Sequence, residues 1–240
     1  MDKYLNVIFD LYGTLIDIHT NESRRFFWKE FAEFLKGYGV IYHPAELQKL
    51  YRRACRQETE RLRKQSGFAM VEISIDNVFR QLCRNRGYEP DELDIEMIAK
   101  VFRTLSTDYL KLYPEVMEIL TELKNQGKKI YLLSNAQQLF TDYEMDILDL
   151  RSHFDGIFYS SACGCRKPDT RFYDCLFEKH GLNKKESIMI GNDYYDDILS
   201  AHSYGLASVY VHTRQSRPFR GELPDDCTRG QKLSDILKLQ

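Results

Sequence analysis

Apolar positions follow two regimes along this chain. Val7, Ile8 and Phe9 form a short unbroken run ending at Asp10, and four more short strand-like stretches lie in the second half: Lys128 to Asn135 with Ile130-Tyr131-Leu132-Leu133 at its centre, Phe154 to Ser160, Ser187 to Gly191, and Ala207 to His212. Continuous apolar runs of this length, bounded by turn formers, read as strands buried on both faces. Between them the period lengthens to that of a helix. Pro114 opens a helix with Val116, Ile119, Leu120 and Leu123 on one side and Gly127 at its end. Others run through Leu139, Tyr143, Ile147 and Leu148, through Phe172 to Phe177 as far as Gly181, and from Asp196 to Tyr204 before Gly205. Strands alternating with helices predict an α/β fold: a Rossmann-like, mainly parallel sheet with helices on both faces. The polar stretch from Arg214 to Gly230 reads as loop, followed by a short helix near Asp235 to Leu239.

From about Asn21 to about Asp108 the pattern is helical throughout. Asn21 is placed to cap a helix through Phe26, Phe27, Phe31, Phe34 and Leu35, ended by Gly37 and Gly39. Pro44 starts a second, with Leu47, Leu50, Tyr51, Ala54 and Cys55 apolar and Gln65-Ser66-Gly67 as its stop. A third spans Ile75 to Arg86, and a fourth runs from Leu93 to about Leu112. The chain thus divides into an α/β domain, residues 1–17 and 112–240, and a small all-helical domain, 18–111.

Composition narrows the setting. Of 240 residues, 43% are hydrophobic and 29% charged, with a net charge of −2, which gives no footprint for nucleic acid or an anionic membrane. The basic run Arg52, Arg53, Arg56, Arg61, Arg63 and Lys64 is interleaved with Glu58 and Glu60 and reads as a solvated, ion-paired helix face. No apolar stretch approaches the ~20 residues that cross a bilayer, and the N-terminus shows no signal-peptide core. A cytoplasmic protein is expected. The six cysteines agree: four stand singly, and Cys163-Gly164-Cys165 has neither zinc-site nor redox spacing.

The chemistry collects just past the strand ends. The first strand delivers Asp10, and the next Ser134 and Asn135. The Phe154 to Ser160 strand is followed by Arg166-Lys167-Pro168-Asp169, and the Ser187–Gly191 strand by Asn192, Asp193, Asp196 and Asp197. In open α/β sheets ligands bind outside the carboxyl ends of the strands, so these groups converge. Carboxylates from two strands can bind Mg2+, which takes oxygen ligands and keeps waters. Ser134 would hold a phosphoryl oxygen, Lys167 would neutralise developing charge, and Asp10 would attack to give an aspartyl-phosphate that water hydrolyses. There is no glycine-rich dinucleotide fingerprint and no P-loop.

Phe9-Asp10-Leu11-Tyr12-Gly13-Thr14-Leu15, Leu133-Ser134-Asn135, Arg166-Lys167-Pro168-Asp169 and Gly191-Asn192-Asp193-Tyr194-Tyr195-Asp196-Asp197 resemble, in order and spacing, the four motifs of the haloacid dehalogenase (HAD) superfamily. The helical insert falls where that family places a helical cap over its active site. The resemblance implies catalytic roles for Asp10, Thr14, Ser134 and Lys167, substrate contacts from Tyr12, Gly13 and Asn135, and a Mg2+ site from Asp10, the Tyr12 carbonyl, Asn192 or Asp193, and Asp197. It implies Mg2+-dependent hydrolysis of a small phosphorylated metabolite.

Two departures qualify what the resemblance implies. The family's phosphatases carry an Asp two residues after the nucleophile, which protonates the leaving group and then activates water; here it is Tyr12. Asn192 replaces the usual first acid of the fourth motif. Tyr at the former position is a trait of the metal-independent 2-haloacid dehalogenases, whose fourth motif is not acidic. Haloacid hydrolysis, or a binding protein without catalysis, are therefore the alternative expectations.

Overall fold

The short apolar runs assemble into one sheet because each turns alternate side chains to opposite faces. The computed structural model describes residues 3–24, 26–68 and 70–238. In chain order it contains β1 (Asn6–Phe9), β2 (Ile16–Thr20), α1 (Phe27–Lys36), α2 (Pro44–Ser66), α3 (Ile75–Arg84), α4 (Glu92–Ser106), β3 (Thr107–Leu112), α5 (Val116–Asn125), β4 (Lys129–Ser134), α6 (Gln138–Ile147), β5 (Gly156–Tyr159), α7 (Ser160–Cys163), α8 (Arg171–His180), β6 (Ser187–Gly191), a π-helical turn (Tyr194–Leu199), α9 (Ser200–Tyr204), β7 (Ala207–Val211) and β8 (Cys227–Gly230).

Six strands form a parallel sheet in the order β5-β4-β1-β6-β7-β8. Val7, Phe9, Ile130, Leu132, Ile188 and Ile190 face one layer, where Val116, Ile119, Leu120 and Leu123 of α5 and Met145 of α6 cover them. Ile8, Tyr131, Leu133 and Met189 face the other, against Phe172, Tyr173, Leu176 and Phe177 of α8. This is the expected Rossmann-like α/β sheet. Asp10 leaves β1, a central strand paired on both edges, so its backbone is held from two sides.

Helices α1 to α4 enclose their own aromatic core, in which Phe102 lies within 5.2 Å, centroid to centroid, of Phe27, Phe31, Tyr51 and Phe79. Phe140, from α6, joins this cluster and packs the helical unit onto the sheet domain.

Several local expectations are corrected. The fourth helix stops at Ser106, and Thr107–Leu112 is a strand paired antiparallel with β2, a two-stranded ladder at the junction of the helical unit and the sheet domain. Asn21 does not cap α1; its side chain accepts from Ser23, and Phe26 is 63% exposed while Trp28 is buried in its stead. Pro114 precedes the helical turn, because Glu115 at the N-cap takes a left-handed conformation. The segment after Asp193 begins as a π-helical turn before α9. The tail is not all loop: β8 extends the sheet beside β7, and a 3-10 helix spans Leu233–Lys238, while Leu239 lies outside the described residues. Among the described residues no helix is long and apolar enough to cross a membrane.

Candidate active site

The turn after β1 is shaped by a left-handed glycine. Gly13 has φ +86°, and a Cβ there would sit 2.5 Å from the Asn192 amide, so the β1 turn and the loop after β6 can meet only over a glycine. Gly191 plays the same part for Asp197, whose side chain occupies the space a Cβ would need. The Gly13 contact brings the first and fourth sequence motifs together, and the Gly191 contact folds the fourth motif back on itself.

Lys167 is the hub. Its ammonium donates to Asp10 Oδ1 (2.9 Å), Asp197 Oδ1 (2.7 Å) and the Leu133 carbonyl (2.7 Å). All three donors are therefore used. The side chain is 1% exposed. Burial alone would depress the Lys167 pKa, but Asp10 and Asp197 outweigh it and hold the ammonium protonated. Burial raises Asp197, and the Asp10 charge adds to this against the pull of Lys167. The second Asp197 oxygen accepts from the Asp193 backbone N–H at 2.9 Å.

The remaining predicted residues surround this hub. Ser134 Oγ lies 3.3 Å from Asp10 Oδ1. Thr14 Oγ1 lies 3.2 Å from Asp10 Oδ2 and 3.1 Å from the Asn192 amide oxygen. Asn135 spends its amide on the Lys167 backbone, accepting from the N–H (2.9 Å) and donating to the carbonyl (3.0 Å). It fixes the loop that presents Lys167. Asp193 caps the π-helical turn through the N–H groups of Tyr195 and Asp196.

Tyr12 is the residue whose placement is most informative. Its hydroxyl pairs with Thr141 Oγ1 at 2.8 Å and donates to Glu144 Oε2. Glu144 in turn binds Arg103 of α4 at 2.5 Å, and the Arg103 guanidinium lies 5.6 Å from the Tyr12 ring centroid. Burial raises the phenol well above its ordinary pKa, and the Glu144 carboxylate adds to this. The phenol therefore stays protonated and is spent on the contact between α6 and the helical unit.

Sequence reasoning missed three contributors in the loop after β7. Thr213 Oγ1 donates to the Gly13 carbonyl at 2.7 Å and lies 3.4 Å from the Asn192 amide nitrogen. Gln215 lines the cavity and donates to Asp17 and the Ile18 carbonyl. Arg217 grips Asp193 with Nε and Nη2 and reaches Asp196 Oδ2 at 2.9 Å. Burial works to raise the Asp193 pKa, but this bidentate contact lowers it. A polar loop without periodicity gives no signal for such partners; the Pro- and Gly-containing segment was legible only as loop.

Together these groups enclose a cavity of about 210 Å³, lined by Asp10, Asp193, Asp196 and Asp197 against Lys167 and Arg217, with Tyr12, Ser134, Asn135, Asn192 and Gln215. A second cavity of about 250 Å³ shares Tyr12 and Asn135 and opens toward Glu72, Arg103 and Gln137. Four carboxylates face two cations, so the walls carry a formal charge of −2 when all are ionised. No cluster of three or more His, Cys, Asp or Glu arranged to hold a metal occurs among the described residues. The oxygen donors still match a hard cation in type: the Asp10 carboxylate, the Asn192 amide oxygen, and the Tyr12 carbonyl, which takes no part in the turn's described backbone hydrogen bonds.

Comparison with known proteins identifies the family and the fold. The family model described as haloacid dehalogenase-like hydrolase matches residues 7–211. The (S)-2-haloacid dehalogenase of Pseudomonas sp. strain YL is 27% identical over 229 residues, covering 94% of this chain and 90% of that protein. The glyceraldehyde 3-phosphate phosphatase of Methanothermobacter thermautotrophicus is 22% identical over 165 residues, 69% of this chain and 73% of that one. The crystal structure of a HAD phosphatase from Thermococcus onnurineus shares the fold, with a TM-score of 0.62 at 16% identity over 97% of this chain and 96% of the other.

Proposed function

The chain belongs to the haloacid dehalogenase-like hydrolases, and from that premise we propose that it is a Mg2+-dependent phosphohydrolase that passes a phosphoryl group of a small metabolite through Asp10. The observation that carries this reading is the charge of the cavity. With all four carboxylates ionised against two cations, the cavity makes a poor receptacle for a phosphate dianion unless a further cation enters with it. A bound Mg2+ would supply that charge and polarise a phosphoryl oxygen. Asp10 Oδ2, the Tyr12 carbonyl and Asn192 Oδ1 would hold it. Asn192 suits this better than Asp193, because Thr14 bridges Asn192 to Asp10 while Asp193 is turned to Arg217. Asp197, with both oxygens engaged, would act by holding Lys167.

In this reading Lys167, fully paired and protonated, balances charge on the transferring group, and Ser134 donates to one of its oxygens. Residues 1–17 and 112–240 form the hydrolase domain, and residues 18–111 the cap that covers it. The test is turnover of p-nitrophenyl phosphate: it should require Mg2+, vanish with EDTA and vanish in Asp10→Asn. Absence of metal-dependent turnover across a broad panel of phosphate esters and anhydrides would reject the proposal.

A second reading has its own support. Tyr12, and a relative named as a 2-haloacid dehalogenase that matches almost end to end, favour attack of Asp10 on a halogen-bearing carbon without metal. EDTA-insensitive halide release from 2-chloropropionate would establish it in place of the first.

A further inference from the structure

Taking Asp10 as nucleophile toward phosphorus, as proposed above, the site lacks the proton donor that an ordinary alcohol leaving group needs. An alkoxide is the base of an acid about as weak as water, so its departure without a proton is slow, and a positioned general acid contributes typically ~10²–10⁴-fold. The family resemblance gives that role to the side chain two residues beyond Asp10, and Tyr12 at that position lines the same cavity. Here it is a phenol already donating to Glu144 and paired with Thr141, beneath the Arg103 guanidinium. To protonate a leaving group it would have to break both contacts and leave a buried phenolate beside a buried carboxylate. Lys167, the one cation touching Asp10 among the described residues, has all three N–H donors committed.

We infer that the substrates are phosphoric anhydrides or esters whose leaving oxygen belongs to an acid or a phenol: acyl phosphates first, aryl phosphates next, and not alkyl phosphates. The two steps balance without a donor at position 12. Asp10 forms the new P–O bond, and the old P–O bond breaks with its electron pair leaving on a carboxylate or phenolate, which is stable unprotonated. Water then attacks phosphorus, the P–O bond to Asp10 breaks, its electron pair restores the carboxylate, and both water protons depart on the product as dihydrogen phosphate.

Two carboxyls raised by burial are rival donors: Asp196, which lines the Asp10 cavity but is held by Arg217 at 2.9 Å, and Glu72. Glu72 lines the adjoining cavity with Tyr12 and Asn135, and burial raises its carboxyl. Its oxygens, however, are engaged by Gln137 Nε2 at 2.9 Å and Ser160 Oγ at 3.2 Å, bridging the helical unit to α6 and the end of β5.

The experiment is a leaving-group series with the full chain at saturating Mg2+: acetyl phosphate, aryl phosphates of graded phenol acidity, and alkyl phosphates including glycerol phosphate. The expected result is kcat/KM falling steeply as the leaving group becomes more basic, with alkyl phosphates at least ~10²-fold below p-nitrophenyl phosphate. Tyr12→Phe should keep the same slope. A shallow dependence, with alkyl phosphates turned over as fast as aryl ones, would overturn the inference and leave the phosphohydrolase reading standing. If that shallow slope steepens in Glu72→Gln, Glu72 is the donor. Absence of turnover anywhere in the series would overturn both.

Discussion

Two cations, Lys167 buried and Arg103 partly so, stand on either side of the β1 turn, and they are put to opposite uses. Lys167 faces Asp10 and Asp197 at the rim of a cavity. Arg103 faces Glu144, with the Tyr12 ring filling the space beside it. Both hold a carboxylate in low dielectric, and burial works against the charged form of each cation until its acidic partner outweighs it. The difference is in what remains within reach. Around Lys167, the oxygen-bearing residues Asp10, Ser134 and Asn192 line open volume. Arg103 borders the second cavity, but the carboxylate it holds, Glu144, does not line it, so its charge is used to fasten α4 to α6. Electrostatic strength does not distinguish a reactive centre from a structural one; accessible oxygen beside it does.

Breaking the first hub should have the largest effect. Lys167→Met leaves Asp10 and Asp197 facing each other without a counter-ion. A loss of about 3–5 kcal/mol of stability is expected in urea denaturation, together with a fall of at least ~10²-fold in p-nitrophenyl phosphate turnover. Arg103→Met should cost less, about 2–3 kcal/mol, since Arg103 is 18% exposed and the Tyr12 hydroxyl still reaches Glu144. Its kcat should stay within about threefold of the parent, because nothing touching Asp10 is removed. A large loss of kcat in Arg103→Met with the fold intact would show that the two hubs are one.

The smallest effect belongs to a third, peripheral ion pair. Burial tends to raise the Asp17 pKa, but hydrogen bonds from Arg214 and Gln215 outweigh it and lower the carboxyl below its ordinary 3.8. As pH falls the unfolded chain therefore takes up the proton first. Stabilisation by Asp17 is present above its unfolded value and lost as pH drops through the depressed folded one. Asp17→Asn should lower Tm near pH 7 by about 2–4 °C, and this gap should close as pH falls below 3.8. A constant gap down to pH 2 would remove the ion pair from the account.

The contrast also explains what the sequence made legible. Asp10, Ser134, Lys167 and Asp197 each follow an apolar run, and parallel pairing brings the ends of such runs together, so their convergence was readable from order alone. The β2–β3 ladder was not. Ile16–Thr20 is short, and Tyr109, Leu110 and Leu112 continue the apolar spacing of α4 closely enough to read as more helix. The partnership of Tyr12 with Glu144 and Arg103 spans more than a hundred residues on one side and joins helices with no periodic relation. Arg217 lies in a polar loop, where only the folded chain shows that it meets Asp193 and Asp196. Period reveals elements and their faces; it carries no information on which side chains meet across them.

Tyr12, Glu144 and Arg103 make a single hydrogen-bonded unit, and this bears on how such a chain can change its chemistry. An Asp at position 12 would bring a carboxylate toward Glu144 and leave Thr141 only its bond to the Gln137 carbonyl, so the general acid of an alkyl phosphatase is not one substitution away. It requires a concerted exchange at positions 12, 103 and 144, with each single step passing through a less stable protein. The identity of the residue two beyond Asp10 is therefore inherited together with two residues in helices far along the chain, and the three should be found changing as one character.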